Sequence, residues 1–164
     1  MLRLRSTNGC SIARPVARKD MKTDWTDSEL AYLAGIIDGE GCFVLHDHGS
    51  HRFGCALAVG NTDPRLTEWL RARFGGSVGV EKRGQRWKAC YRWKASAKDL
   101  ESIILAVLPF LVIKRDRAEL ILAYRRTLNP SISGPRKADV TSQAVKTERR
   151  AIHSQLAVLN KRGA

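Results

Sequence analysis

The stretch Leu33-Ala34-Gly35-Ile36-Ile37-Asp38-Gly39-Glu40-Gly41 constrains this chain more than any other. It begins as an apolar helix and ends in two acidic residues set between glycines. Leu30, Leu33, Ala34 and Ile37 recur at helical spacing and should face a core. Ala31, Gly35 and Asp38 make a second stripe of small or short side chains, where another backbone could come close. Gly39 is expected to end the helix, since glycine tolerates the backbone angles of a helix exit. Carboxylates at that point are disfavoured, because the end of a helix already carries partial negative charge. A bound cation would resolve the conflict, and oxygen ligands from a carboxylate and exposed carbonyls suit Mg2+.

The rest of the chain is strongly basic. Lys and Arg number 29 against 16 Asp and Glu, a formal charge of +13 over 164 residues. That balance points to a polyanion partner, with nucleic acid first and an anionic membrane surface second. No apolar run reaches the roughly 18 residues that a bilayer span needs, so no spanning segment is expected, and with nucleic acid ranked first no membrane partner is expected. A plain basic RNA-binding protein would share the charge but would not need the acidic turn. With 43% apolar residues the chain can bury a core. Cys10, Cys42, Cys55 and Cys90 are scattered, form no metal-ligand pairs, and read as reduced thiols of an intracellular protein.

Three segments are expected. Residues 1–21 form an Arg-rich arm whose first acid is Asp20. The arm reads as disordered, as an organellar transit peptide, or as sequence upstream of a start at Met21. Residues 22–128 form the main domain, and 129–164 a Pro/Ser/Gly loop followed by a basic helix from about 141 to 160. Lys146, Arg149, Arg150, Lys161 and Arg162 make that helix either an appendage that grips a nucleic-acid backbone or a solvated amphipathic tail.

Within the main domain, Thr26-Asp27-Ser28-Glu29 reads as a capping box opening a helix that runs to about Asp38. The pattern then alternates. Phe43 and Leu45 face a core, leaving Cys42, Val44, His46 and His48 opposite, and a second strand alternates Phe53, Cys55, Leu57 and Val59 with Arg52, Gly54, Ala56 and Ala58. The two strands make a hairpin about a turn at Gly49-Ser50. Asp63 and Pro64 start the next helix, as cap and first helical residue, and Gly75-Gly76 stop it. A second hairpin spans 78–82 and 86–94. On its second strand Trp87, Ala89, Tyr91 and Trp93 alternate with four cations and Cys90. The cationic side reads as a surface for phosphates and base edges or as an ordinary solvated face. A one-residue slip would exchange the two sides. Helices over about 97–108, stopped by Pro109, and about 114–128 complete the domain.

The nine residues from Leu33 to Gly41 resemble the signature of the LAGLIDADG homing endonucleases, and the order of elements resembles that family's αββαββα arrangement over about Trp25 to Leu128. The fold implied is α+β, a four-stranded antiparallel DNA-binding saddle backed by helices. The function implied is a site-specific DNA endonuclease. It would make a metal-dependent double-strand break in a long, near-palindromic duplex. The resemblance makes Glu40 the ligand of a divalent metal such as Mg2+, helped by the carbonyl of Gly39. Many family members carry Asp at that position. Lys114, in Pro109-Phe110-Leu111-Val112-Ile113-Lys114, becomes the active-site cation; Asn61 would organise water, and Arg65 would be a second basic residue. Asn61 also reads as a helix-start residue and Arg65 as a surface cation.

His46, His48, Arg52, Lys82, Arg83, Arg86, Lys88, Arg92 and Lys94 are the candidate DNA contacts, since lysine and arginine on strands can read major-groove edges. Only one copy of the motif is present, and single-motif chains of the family pair. A homodimer is therefore expected, with Ala31, Leu33, Ala34, Gly35 and Asp38 at the interface. Two other activities remain open on the same fold: a maturase assisting splicing of an intron RNA, and a catalytically inactive DNA-binding regulator. Localisation would follow the DNA, in the cytoplasm or nucleoid of a bacterial or phage host, or in an organelle if the arm is a transit peptide.

Overall fold

The computed structural model describes residues 24–49, 52–81, 88–128 and 142–161. The readings of the N-terminal arm, of Lys82, Arg83 and Arg86, and of the 129–141 loop lie outside the described residues.

Helix α1 runs over Asp27–Glu40 and starts on the expected capping box. The Glu29 N–H donates to Thr26 Oγ1, and the Glu29 carboxylate accepts from the Thr26 N–H at 2.9 Å. The helix continues two residues past the expected end. Gly39 is a helical residue, and the cap is Gly41, whose φ of −78° is extended and open to any residue. Gly41 is a glycine for space instead. A Cβ there would lie 2.7 Å from both Cα and O of Ile37.

Strands β1 (Gly41–Asp47) and β2 (Phe53–Asn61) form the first hairpin, with Phe43 opposite Leu57 and Leu45 opposite Cys55. Helix α2 (Pro64–Phe74) follows, capped by Asp63, and stops at Gly75 and Gly76, whose φ values of 71° and 84° favour glycine. Strands β3 (Ser77–Glu81) and β4 (Cys90–Lys94) pair antiparallel. β4 also pairs with β2, so the sheet order is β1-β2-β4-β3. The expected facing holds on β4. Trp93 is buried and donates its indole N–H to Gly75 O at 2.7 Å, while Arg92 and Lys94 lie on the other side.

One sheet face is covered by helices. Phe43, Leu45, Leu57, Val59 and Trp93 meet Leu33, Ile37, Leu70, Ile103, Ile104 and Ile121 in one core. Each such aliphatic side chain removed from water contributes roughly 1.5–3 kcal/mol. Helix α3 is shorter than expected, Leu100–Val107, because Ser96 and Asp99 close a turn ahead of it. Pro109 lies inside a 3-10 turn, Leu108–Phe110, rather than beyond a stop. Helix α4 spans Arg115–Arg126.

Helix α5 (Gln143–Leu159) is packed into the fold, not appended to it. Ile152 and Leu156 are buried in the core. Arg149 turns inward, donating to Thr127 Oγ1 at 2.9 Å and Thr127 O at 2.7 Å, with its guanidinium over the Tyr124 ring. Asn160 donates to Phe43 O at 2.9 Å, tying the end of α5 to β1.

Candidate nucleic-acid interface and acidic cleft

Among the described residues the other sheet face carries no helix. From β1 it presents Cys42, Val44 and His46; from β2, Gly54, Ala56, Ala58 and Gly60; from β4, Cys90, Arg92 and Lys94. The middle strand therefore offers no side chain longer than a methyl group. The bulk and charge stand on its neighbours. His48 lies over Gly54, where an added Cβ would meet its Nε2 at 2.6 Å. Arg52, Lys88 and Lys94 are exposed, and Arg92 is half-buried with Nη2 3.0 Å from Glu81.

An open cleft of about 520 Å³ lies at the end of this face, lined by Glu40, Cys42, Ala58, Gly60, Asn61, Thr62, Cys90 and Arg92. Glu40 reaches it as the last residue of α1. Its carboxylate is exposed and makes no hydrogen bond or ion pair among the described residues. Asn61 ends β2 there, and its Oδ1 accepts from the Asp63 N–H at 2.8 Å. That leaves its amide N–H groups as what it can offer the cleft. The sequence marks Arg92 as a DNA contact; its place in the cleft depends on the β2–β4 pairing, which no local pattern announces. A larger hollow of about 810 Å³, lined chiefly by apolar residues of α3, α4 and α5, shares no residue with the cleft.

Lys114 stands behind the acidic end. Its Nζ donates to Ile37 O at 2.9 Å and Gly41 O at 2.7 Å, so part of the cation that the helix terminus calls for is supplied by the chain itself. Burial, then the charge of Arg117, lowers its pKa below the ordinary lysine value, against the opposing pull of Asp38, Cys42 and Glu40.

Arg65 is not brought to the Glu40 cleft. It folds onto Asp63, with Nε 3.0 Å from the carboxylate, and lines a separate hollow with Tyr32, Leu66 and Trp69 that shares Asn61. Arg65 holds the Asp63 carboxyl down at about 2. Three residues expected at the interface are engaged within the chain. Leu33 and Ala34 are fully buried in their own core, where the packing of α1 on the sheet and α3 consumes them. Asp38 is half-buried, and its carboxylate is taken up by the backbone N–H groups of Val112 and Lys114 within the chain. The exposed face of α1 carries Ser28, Ala31, Tyr32, Gly35 and Gly39 instead. Val112 and Ile113, 85% and 66% exposed, extend it from the loop that Asp38 holds. Two apolar residues in a loop just before Lys114 were the signal in the sequence.

Among the described residues no three Asp, Glu, His or Cys side chains gather as a metal site, no disulfide joins Cys42, Cys55 and Cys90, and no helix could cross a membrane.

A four-stranded antiparallel sheet backed by helices, with the acidic end of α1 beside its open face, gives the chain the fold of solved LAGLIDADG homing endonucleases. The chain is 25% identical over 121 residues to DNA endonuclease I-CreI of Chlamydomonas reinhardtii, covering 71% of this chain and 74% of that one. Among solved structures it superposes on the archaeal intron-encoded homing endonuclease I-Vdi141I, complexed with DNA, with a TM-score of 0.66 at 15% identity, over 84% of this chain and 87% of that one. On I-CvuI, in complex with the uncleaved I-CreI target in the presence of Mg, the TM-score is 0.61 at 19% identity, over 84% and 85%. On I-SmaMI, bound to DNA, it is 0.59 at 17% identity, over 89% of this chain but 50% of that one. No protein-family profile matches the chain.

Proposed function

We propose that the chain is a site-specific DNA endonuclease that acts as a homodimer with divalent metal on a long, near-palindromic duplex. The observation that carries this reading is the placement of an exposed carboxylate, Glu40, without a hydrogen-bond or ion-pair partner among the described residues, at the end of a sheet face that bears the cations.

The residues fit a hydrated hard cation better than a complete protein cage. Glu40 is one carboxylate at a helix C-terminus, and no cluster of three ligands stands among the described residues. Mg2+ commonly keeps several waters and takes one or two carboxylates plus phosphate oxygens. Glu40 and the Gly39 carbonyl would hold the ion, with phosphate completing the set. When bound, such an ion makes water more acidic and offsets charge on the phosphate and leaving oxygen. Arg92 can hold a phosphate in the cleft, Asn61 can donate to a water or phosphate oxygen, and Lys114 sets a positive charge behind Glu40.

A homodimer is supported by the exposed face of α1. Added Cβ atoms on Gly35 and Gly39 would meet nothing within 4 Å, so a second backbone can approach there. The chain spans most of the shorter nucleases but half of I-SmaMI, as expected of one unit in two. A two-fold protein matches a near-palindromic site. We place its activity inside the cell, where the duplex is found.

The test uses the duplex formed by joining the flanks of the gene's host locus, with and without Mg2+. Metal-dependent double-strand cleavage, lost in Glu40→Gln with binding retained, is expected. Normal cutting by Glu40→Gln removes Glu40 from the site. Binding without cutting by the unmodified chain favours a regulator, and activity on the intron RNA alone favours a maturase.

A further inference from the structure

Asp38 is the second carboxylate of the acidic stretch, and the chemistry above gives it no part. Its oxygens take separate donors. Oδ2 accepts the Val112 N–H at 2.8 Å and Oδ1 accepts the Lys114 N–H at 2.9 Å. Lys114 is the residue from which α4 starts, and its own side chain makes no cap to that helix. Asp38 thus supplies the anion that the first N–H groups of a helix favour. From the same residue, the Lys114 side chain turns back to the carbonyls of Ile37 and Gly41, which flank Asp38 and Glu40 in sequence. Two segments more than seventy residues apart are closed on each other by four hydrogen bonds.

We propose that Asp38 is a positioning residue for Lys114. Its carboxylate fixes the 112–114 backbone so that the ammonium is delivered to the C-terminus of α1, beside Glu40. The proposal rests on Lys114 being the cation of the nuclease site. An aspartate is required by the donor count. Asparagine offers one oxygen and turns an N–H2 toward a backbone N–H, and alanine offers neither oxygen. Either change frees the loop that aims Lys114. A misplacement of about 1 Å far from the chemistry can cost on the order of a hundredfold in rate.

Two measurements test this on the full chain. The first is amine acetylation followed by peptide mass spectrometry, which needs no DNA. Asp38→Ala and Asp38→Asn should raise the labelling rate of Lys114 several-fold, while exposed Lys98 and Lys161 label as before. Lys114 labelling at the unmodified rate in both variants overturns the proposal. The second is single-turnover cleavage. At saturating protein both variants should cut on the order of a hundredfold more slowly, and Asp38→Ala should cost nothing further in a Lys114→Met background. Full additivity of the two changes overturns the proposal. If the unmodified chain cuts no duplex, the nuclease reading fails, and the labelling experiment still decides whether Asp38 holds Lys114.

Discussion

Arg92 and Glu81 face each other from β4 and β3, with Nη2 3.0 Å from a carboxylate oxygen on the open side of the sheet. An acid on a surface that meets phosphates opposes binding locally and engages a neighbouring cation. Glu81→Gln should therefore tighten binding to unrelated duplexes and steepen the salt dependence by about one counterion, whereas Arg92→Ala should flatten it by about one. Anisotropy titrations over a salt series measure both slopes. Unchanged slopes would remove Arg92 from the DNA backbone.

Two glycines of the signature should behave oppositely. Gly41→Ala places a methyl group against Ile37 backbone that cannot yield, and should cost about 1–3 kcal/mol or more in unfolding free energy. Gly35→Ala meets nothing within 4 Å in the single chain and replaces a poor helix former, worth about 1 kcal/mol of helix stability. The same methyl group sits on the face proposed for pairing. Sedimentation equilibrium should show weaker self-association despite a better helix, and unchanged association would move the seam elsewhere.

Stability should fall in acid through a pair that ties α1 to α2. Arg73 donates to both carboxylate oxygens of Glu29 and, with the Thr26 backbone, lowers the pKa of Glu29 from 4.5 to about 2. A depressed carboxyl contributes stability that is present above the unfolded value and lost as pH falls toward the folded one. The loss belongs between about 4.5 and 2. Asp63, lowered from 3.8 to about 2 by Arg65, loses its share between those two values. Urea unfolding should accordingly show a shallower acid-side slope for Glu29→Gln than for the unmodified chain. Equal slopes would mean that the pair adds nothing.

Helix α5 should be part of the cooperative unit. Leu156 is buried among core side chains, and Leu156→Ala should cost about 2–5 kcal/mol. Chemical denaturation reads that loss directly. A small cost would mean that α5 docks independently.

Much of this architecture is legible in the sequence because its signals are local. Thr26 with Glu29, Asp63 with Pro64, and Gly75 with Gly76 mark helix ends by chemistry within a few residues, and alternation places Leu57 and Trp93 inward. What local pattern cannot give is the partner of a side chain. Leu33 and Ala34 look equally suited to a core or to a second helix, and only the packed position of α3 assigns them. Asp38 reads only as an interface residue because its donors lie more than seventy residues away. Arg65 reads as an active-site base or a surface cation, and its ion pair with Asp63, two residues before it, accords with the second. Gly39 and Gly41 exchanged roles because steric need at Gly41 comes from Ile37, across the helix end.

The bonds from Lys114 to Ile37 and Gly41 also set an order in time. During synthesis the acidic turn emerges long before the residue that completes it. Until α4 has been made and docked, the end of α1 lacks its internal cation, and the same loop has yet to present Val112 and Ile113 for pairing. A half-made or locally unfolded chain can carry every acidic residue of the signature and still have no assembled cutting centre. On the proposed nuclease reading, tying assembly of the centre to near-complete folding limits cutting to finished molecules.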